Sequence, residues 1–343
     1  MEGGGLKNFT ALGCYIFAGG FTIGMKKHLN VQAHFEEWEF GTATAKKNHK
    51  IPIHIGVDDW PINKYKPDVI YGNPPCAAWS PVGKSLTNGM NSWRTDSRVQ
   101  CTNNLFRLLE IMRPKIWIWE SVPRVFTVGK DFVKQLEKKA ITMGYSITYF
   151  LTDAQLYGLP QRRQRFHMII HKVKLDIQKP PMRIITTKQT IDKVKNKWFS
   201  RCTEKDVYLI KNTKPGKGLR DTFERLMPMK KNSRGQISGR PIFINFRLHP
   251  NKPSPTLIGG NHAAHYSKNR FLTPIEHAML CGYPENYKWD GEPQTWYKQA
   301  GQSVTSVMGD VLGKICVDAL TKDKKTKGEI QIIDYRKMAK EIK

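Results

Sequence analysis

The chain has 343 residues, enough for one large or two modest domains, and its 39% apolar and 25% charged content is that of a soluble globular protein. No apolar run approaches a membrane span, and the six cysteines (Cys14, Cys76, Cys101, Cys202, Cys281 and Cys316) lack the spacing of a zinc site or a disulfide framework. A formal charge of +27 points to a polyanionic partner, nucleic acid before an anionic membrane surface.

In chain order, Leu12 to Phe17 reads as a short apolar strand running into Gly19-Gly20, with a helix expected from Phe21. Such a turn lets backbone approach a ligand closely and exposes helix N–H groups. Val31–Glu36 reads as a second strand ending in a carboxylate, with Glu37 beside it, and Gly56-Val57-Asp58-Asp59 as a third strand end. Asp68-Val69-Ile70 then leads through Tyr71-Gly72-Asn73-Pro74-Pro75 to Cys76, which places a thiol just past a strand's C-terminal end behind two rigid prolines. Read alone, that cysteine fits packing better than chemistry, since free cysteines are commonly buried. Ser80-Pro81-Val82-Gly83-Lys84 through Arg98 reads as a long loop, in the manner of a lid, before a helix with Leu105, Leu108 and Leu109 on its apolar stripe.

Ile116-Trp117-Ile118-Trp119-Glu120 has the pattern of a buried strand ending in an acid, and a further strand is predicted from Tyr145 to Leu151. Gly158-Leu159-Pro160 turns into Gln161-Arg162-Arg163-Gln164-Arg165, and Phe166 to Ile170 resumes a strand. From Lys172 to Arg240 the chain is rich in Lys and Arg, among them Lys193, Lys197, Arg201 and Lys231, interleaved with Trp198, Phe199 and Tyr208. Thr273, Pro274 and Glu276 spell a helix start with a capping box. His262 and His265 raise a metal site, but no other ligand clusters with them, so none is assigned. Gln299-Ala300-Gly301-Gln302-Ser303-Val304 is expected to open a terminal helix reaching Leu320, followed by a lysine-dense tail whose one apolar stretch, Ile330 to Ile333, reads as a short packed strand or a peripheral nucleic-acid contact.

The ordered series of glycine turn, Pro75-Cys76, Glu120-Ser121-Val122, Gln161-x-Arg163-x-Arg165 and Gly301-Gln302-Ser303-Val304 resembles the cytosine C5 DNA methyltransferase family over roughly residues 11–318. The resemblance implies an α/β fold: a Rossmann-like S-adenosylmethionine-dependent methyltransferase sheet with a second, smaller DNA-recognition domain. The implied division is a catalytic and cofactor-binding core over 1–170, target recognition over 171–246, a segment returning to the core over 247–322, and a basic tail over 323–343. Cys76 would be the nucleophile and Glu120 the group facing cytosine N3 and its amino group. Arg163 would hold the O2 side, with Arg165 supporting the pocket. S-adenosylmethionine would lie against Tyr15, Gly19, Gly20, Phe21, Pro75 and Gln302. Glu36 (or Glu37) would accept the ribose hydroxyls, and Asp58 (or Asp59) the adenine amino group.

Five positions depart from the family pattern, one of them Ser121, which stands where the asparagine of Glu-Asn-Val is expected. Gly13 stands where an aspartate is expected, Phe17 where the first glycine is expected, Ala77 replaces Gln, and Gln302 replaces Asn. Gly13 and Phe17 leave three readings open: a reshaped pocket for the usual donor, a modified donor, or a weakened enzyme.

The implied chemistry is covalent. Cytosine C5 is too weak a nucleophile to take an alkyl group directly, and a thiolate adding at C6, favoured by cationic surroundings, would activate it. The target atom is hidden in duplex DNA, so base flipping follows. The implied partner is double-stranded DNA, bound by a monomer without membrane attachment in the cytoplasm of a bacterial or phage-infected cell, with a cognate restriction endonuclease as a companion. A tRNA cytosine C5 methyltransferase and a DNA-binding protein with a decayed catalytic core are the competing readings.

Overall fold

The computed structural model describes residues 8–80, 92–195, 202–226, 245–259 and 263–340. Pro81 to Lys84, Lys197, Trp198, Phe199, Arg201, Lys231 and His262 lie outside the described residues.

The chain opens with β1 (Thr10–Cys14), α1 (Gly20–Met25), β2 (Asn30–Glu36), α2 (Thr42–Asn48), β3 (Ile53–Ile55) and β4 (Val69–Gly72). It continues through α3 (Val99–Met112), β5 (Ile116–Ser121), α4 (Val125–Val128), α5 (Lys130–Thr142), β6 (Ser146–Asp153) and β7 (Gln164–His171). Then come α6 (Thr187–Ile191), α7 (Glu204–Lys211), α8 (Leu219–Leu226), α9 (Pro274–Leu280), α10 (Pro293–Gln302), α11 (Ser306–Lys322) and β8 (Ile330–Asp334). They form two compact units: residues 1–157, 164–182 and 303–343 make the first, and residues 158–163 and 183–302 the second.

The first unit is built on an eight-stranded sheet in the order β3-β2-β1-β4-β5-β7-β6-β8. All neighbours are parallel except those of β7, which runs against β5 and β6. Strand order reverses between β1 and β4, so their C-terminal ends open the crevice where α/β sheets of this kind bind ligands. Every residue of β4, β5 and β6 is buried, which explains the apolar runs Val69–Tyr71 and Ile116–Trp119. Trp79, Trp119, Phe132 and Phe166 interlock beneath this edge, with ring centres 5.6–6.0 Å apart.

α1 and α11 pack backbone to backbone because both carry glycine at the crossing. A Cβ on Gly24 would lie 2.1 Å from the Asp310 nitrogen, and one on Gly309 would lie 2.3 Å from the Phe21 carbonyl oxygen. Any side chain there would force the helices apart.

The second unit carries α6 to α10. Ile210, Leu219, Ala264 and Phe271 form a small apolar cluster in it. Buried Arg247 donates to the Ile210 and Thr213 carbonyls at 2.7 and 3.0 Å. The capping box expected at Thr273 is present: Glu276 N donates to Thr273 Oγ1 at 3.2 Å, and Thr273 N donates to Glu276 Oε2 at 2.8 Å.

The unit boundaries and the terminal helix differ from those read in the sequence: residues 158–163 fall in the second unit and residues 171–182 in the first. Residues 247–302 belong to the second unit, and the chain rejoins the first at Ser303. The expected single terminal helix is two, since α10 ends at Gln302 and α11 starts at Ser306 behind its Thr305 cap. The lysine-rich tail contributes β8, paired in parallel with β6 from Ile147↔Ile330 to Leu151↔Asp334.

Candidate active site

The turn leaving β1 is strained. Tyr15 and Phe17 hold φ of 53° and 52°, in the left-handed region that side chains disfavour by about 1–2 kcal/mol per residue. Such geometry persists only where surroundings enforce it. Glu36 does so: its Oε1 accepts the Ile16 amide at 2.5 Å, the Phe17 amide adds a second bond, and the carboxyl is fully buried. Burial pushes that carboxyl well above the ordinary range, opposed by the two amides. The Glu36 carbonyl also accepts Gly56 N at 3.0 Å and Trp60 Nε1 at 3.1 Å.

The side chain expected to face a ribose is therefore turned inward as a clamp. Its neighbour Glu37 carries the accessible carboxylate and accepts the Tyr15 hydroxyl at 3.1 Å. Tyr15, expected to face adenine, is buried edge-on against Trp60, with ring centres 6.0 Å apart. The accessible ring is Trp38, 45% exposed and 6.4 Å from Tyr15. The sequence reading missed Trp38, although an aromatic directly after a strand-end carboxylate was a usable signal. Phe21 is likewise internal, 4.7 Å from the Tyr71 ring. Gly19 (φ 84°) and Gly20 open α1, whose first turn has no side-chain cap.

Gly13 has a steric cause. A Cβ there would lie 2.8 Å from the Tyr71 ring and 2.8 Å from His34. Thr22 Oγ1 bridges the two, 2.8 Å from Tyr71 Oη and 3.0 Å from His34 Nε2. Burial pushes the His34 imidazole down to about 3, so it is neutral, and this network fills the space an aspartate would need. Asp58 is exposed and lines a cavity of about 410 Å³ with Trp60, Ile62, Lys64 and Arg107.

The cysteine end is built on β4 and β5. After Gly72, Asn73-Pro74-Pro75 leads to a single helical turn, Cys76–Ala78, with Cys76 half-buried at the sheet's C-terminal edge. Asn73 Nδ2 donates to Glu120 Oε2, and Arg165 Nε donates to Glu120 Oε1 at 2.8 Å. Glu120 is 2% exposed, so its charge depends on these partners. Asn73, three residues before Cys76, was not singled out from the sequence. Arg98 grips Asp96 through Nε at 2.8 Å and Nη2 at 2.5 Å. These bonds hold Arg98 above its ordinary pKa, and the nearby Cys76 and Cys101 sulfurs add to the effect.

Arg163 belongs to the second unit and acts as a brace there. It donates to the Leu257 carbonyl at 3.1 Å and the Gly301 carbonyl at 3.0 Å. Gln161 donates to the Leu280 carbonyl at 3.1 Å. Arg165, expected to support the pocket, donates to the buried acid Glu120. Gln302, expected at a helix start, is the exposed last residue of α10. His265 faces Glu276, with Nε2 3.9 Å from Oε1. No described helix is long and apolar enough to cross a membrane.

A profile of the family described as C-5 cytosine-specific DNA methylase matches residues 12–317. The chain belongs to this family. Type II methyltransferase M1.HphI of Haemophilus parahaemolyticus is 26% identical over 275 residues, covering 76% of this chain and 71% of that protein. The structure of the Entamoeba histolytica methyltransferase EhMeth aligns with TM-score 0.66 at 16% identity, covering 91% of this chain and 98% of the other. The Schizosaccharomyces pombe (S. pombe) Dnmt2 methyltransferase aligns with TM-score 0.54 at 12% identity, covering 91% and 99%.

As a C5-cytosine methyltransferase the protein uses S-adenosylmethionine and a cysteine nucleophile. The residues present fit that donor. The uncapped glycine turn offers backbone N–H groups, Glu37 a carboxylate for sugar hydroxyls, and Trp38 an exposed ring for adenine.

Proposed function

We propose that the protein methylates C5 of a flipped cytosine in double-stranded DNA, with Cys76 as the nucleophile. The buried Asn73–Glu120–Arg165 network, at the same sheet edge as Cys76, carries this reading. S-adenosylmethionine supplies an electrophilic methyl group on its sulfonium.

Cys76 thiolate adds to C6, and the C5=C6 electron pair becomes available at C5. Glu120 accepts from the amino group and, protonated in this step, gives its proton to N3 as sulfur attacks, then takes it back when Cys76 leaves. Arg165 keeps Glu120 oriented and presents its guanidinium to the O2 side. Arg98 supplies the positive field that favours a thiolate at Cys76. Once C5 has taken the methyl group, water removes the C5 proton, the double bond re-forms and Cys76 leaves as thiolate. Trp38 and Glu37 hold the adenosyl end, and the strained turn shapes the methionine end.

DNA is favoured by the description of the matched family, by the charge of +27 and by the basic stretch 183–246, the part of the expected 171–246 segment that lies in the second unit, read as the target-recognition part. The reading includes a monomeric enzyme with a companion endonuclease. The test is transfer of labelled methyl to duplex DNA and to tRNA by wild type and Cys76→Ser. Duplex labelling that is lost in Cys76→Ser, and a covalent adduct on Cys76 with 5-fluorocytosine DNA, are expected. Labelling of tRNA alone would overturn the DNA assignment, and full activity in Cys76→Ser the mechanism.

A further inference from the structure

The end of the sheet opposite Cys76 carries a ridge of positive charge. The parallel strands β4, β5, β6 and β8 all point their C-terminal ends toward the Cys76 edge, while antiparallel β7 starts there with Gln164 and Arg165. β7 then runs to His171 at the far edge, about 20 Å away at ~3.4 Å per residue.

Three segments remote in sequence are bonded together at that far edge. Arg113 and Lys115 come from the turn before β5, and the Lys115 carbonyl accepts Lys172 N at 2.9 Å. Lys172 and Lys174 follow β7, and Lys174 N donates to the Lys324 carbonyl at 2.7 Å. Lys324, Lys325 and Lys327 lead into β8, and Thr326 N returns to the Lys172 carbonyl at 3.1 Å. Val173 and Lys325 also form an antiparallel bridge.

These backbone ties set the cations side by side whatever their side chains prefer. Lys174, Lys324, Lys325 and Lys327 are exposed, and Lys172 lies over the Tyr145 ring at 4.6 Å. The acids beside these turns are Asp68, 4.0 Å from Lys115, Asp176, 3.1 Å from Lys322, Asp323, 2.8 Å from Lys325, and Glu329, and the lysines and arginines of the three turns outnumber them. Clustering like charge destabilises a fold, and nothing in the packing of these three turns requires lysine.

We infer that this ridge is a second DNA-binding surface, which holds a phosphate backbone without reading sequence. The inference rests on the proposed duplex-DNA substrate. A straight duplex engaged at the Cys76 edge does not reach the ridge through a sheet this deep, so its occupant is a second DNA segment. Holding two segments raises the local concentration of DNA and keeps the enzyme on a long molecule between encounters.

The test compares wild type with a five-site variant: Lys172→Gln, Lys174→Gln, Lys324→Gln, Lys325→Gln and Lys327→Gln. Each protein is trapped at Cys76 on a short 5-fluorocytosine duplex, and capture of a labelled second duplex without the target is titrated against salt. Wild type should bind the second duplex, and the variant should bind it at least ten-fold more weakly. Its salt slope should fall by about 0.9 for each phosphate that is no longer neutralised. Methyl transfer to a short duplex should be unchanged in the variant, and its thermal midpoint should match wild type. Equal capture by both proteins, or none by wild type, overturns the inference. So does tighter binding of a single-stranded RNA at the ridge. If no trap forms on any duplex, the DNA-substrate reading fails, and salt titration of the untrapped proteins still tests the ridge.

Discussion

Glu36→Ala tests whether the buried carboxyl enforces the strained turn. The substitution removes the acceptor of the Ile16 and Phe17 amides in a region where Ile16 is 1% exposed. At about 1–3 kcal/mol per orphaned buried donor, the loss should be ~2–4 kcal/mol, because the turn relaxes in part. Relaxation can be read directly. Phe17 sits at φ 52°, so Phe17→Gly should be about 1 kcal/mol more stable than Phe17→Ala, a difference free of the aromatic ring. In a Glu36→Ala background the gap should shrink toward zero, since the turn is no longer held left-handed. Urea unfolding of the six proteins gives these values, and calorimetric titration with S-adenosylmethionine should show weaker donor binding in Glu36→Ala. Glu36→Gln, which keeps an acceptor oxygen, should restore most of both. If Glu36→Ala lies within about 0.5 kcal/mol of wild type, or the Ala–Gly gap is the same in both backgrounds, the clamp is refuted.

Arg165→Ala strips Glu120 of its cation and leaves a 2%-exposed carboxylate with Asn73. Breaking such a pair should destabilise by ~3–5 kcal/mol, and single-turnover transfer should fall about 100-fold, whereas Arg163→Lys should act mainly on stability. Gly13→Asp, which restores the expected family residue, should destabilise by at least ~1–3 kcal/mol, because its Cβ meets Tyr71 and His34 at 2.8 Å; a thermal scan checks this. His34 is pushed down to about 3, and His49, His167 and His171 to about 4, in each case chiefly by burial. These groups bind protons in the unfolded chain first, so stability present above about pH 6.5 is lost as pH falls toward 4. Unfolding free energies from urea titrations should drop between pH 7 and 5, by about 1 kcal/mol per histidine for each unit below 6.5. A flat profile would contradict their neutral burial.

The chain itself settles whatever depends on local pattern. Val69–Tyr71 and Ile116–Trp119 are apolar without interruption because both faces of those strands are covered, and the prolines after β4 fix where Cys76 emerges. The Thr273–Glu276 capping box is equally local, being hydrogen bonds across three residues. Contacts across long sequence distances needed the folded molecule. Alternation along β2 leaves open which of two adjacent carboxylates ends inside, and only the strained turn of β1 folded against it draws Glu36 inward and leaves Glu37 and Trp38 outside. Gly13 looked like a loss until Tyr71 and His34 were seen filling its space. Arg163 and Arg165, two residues apart, take different tasks because the chain passes from the second unit to the first between them, and no periodicity records that crossing.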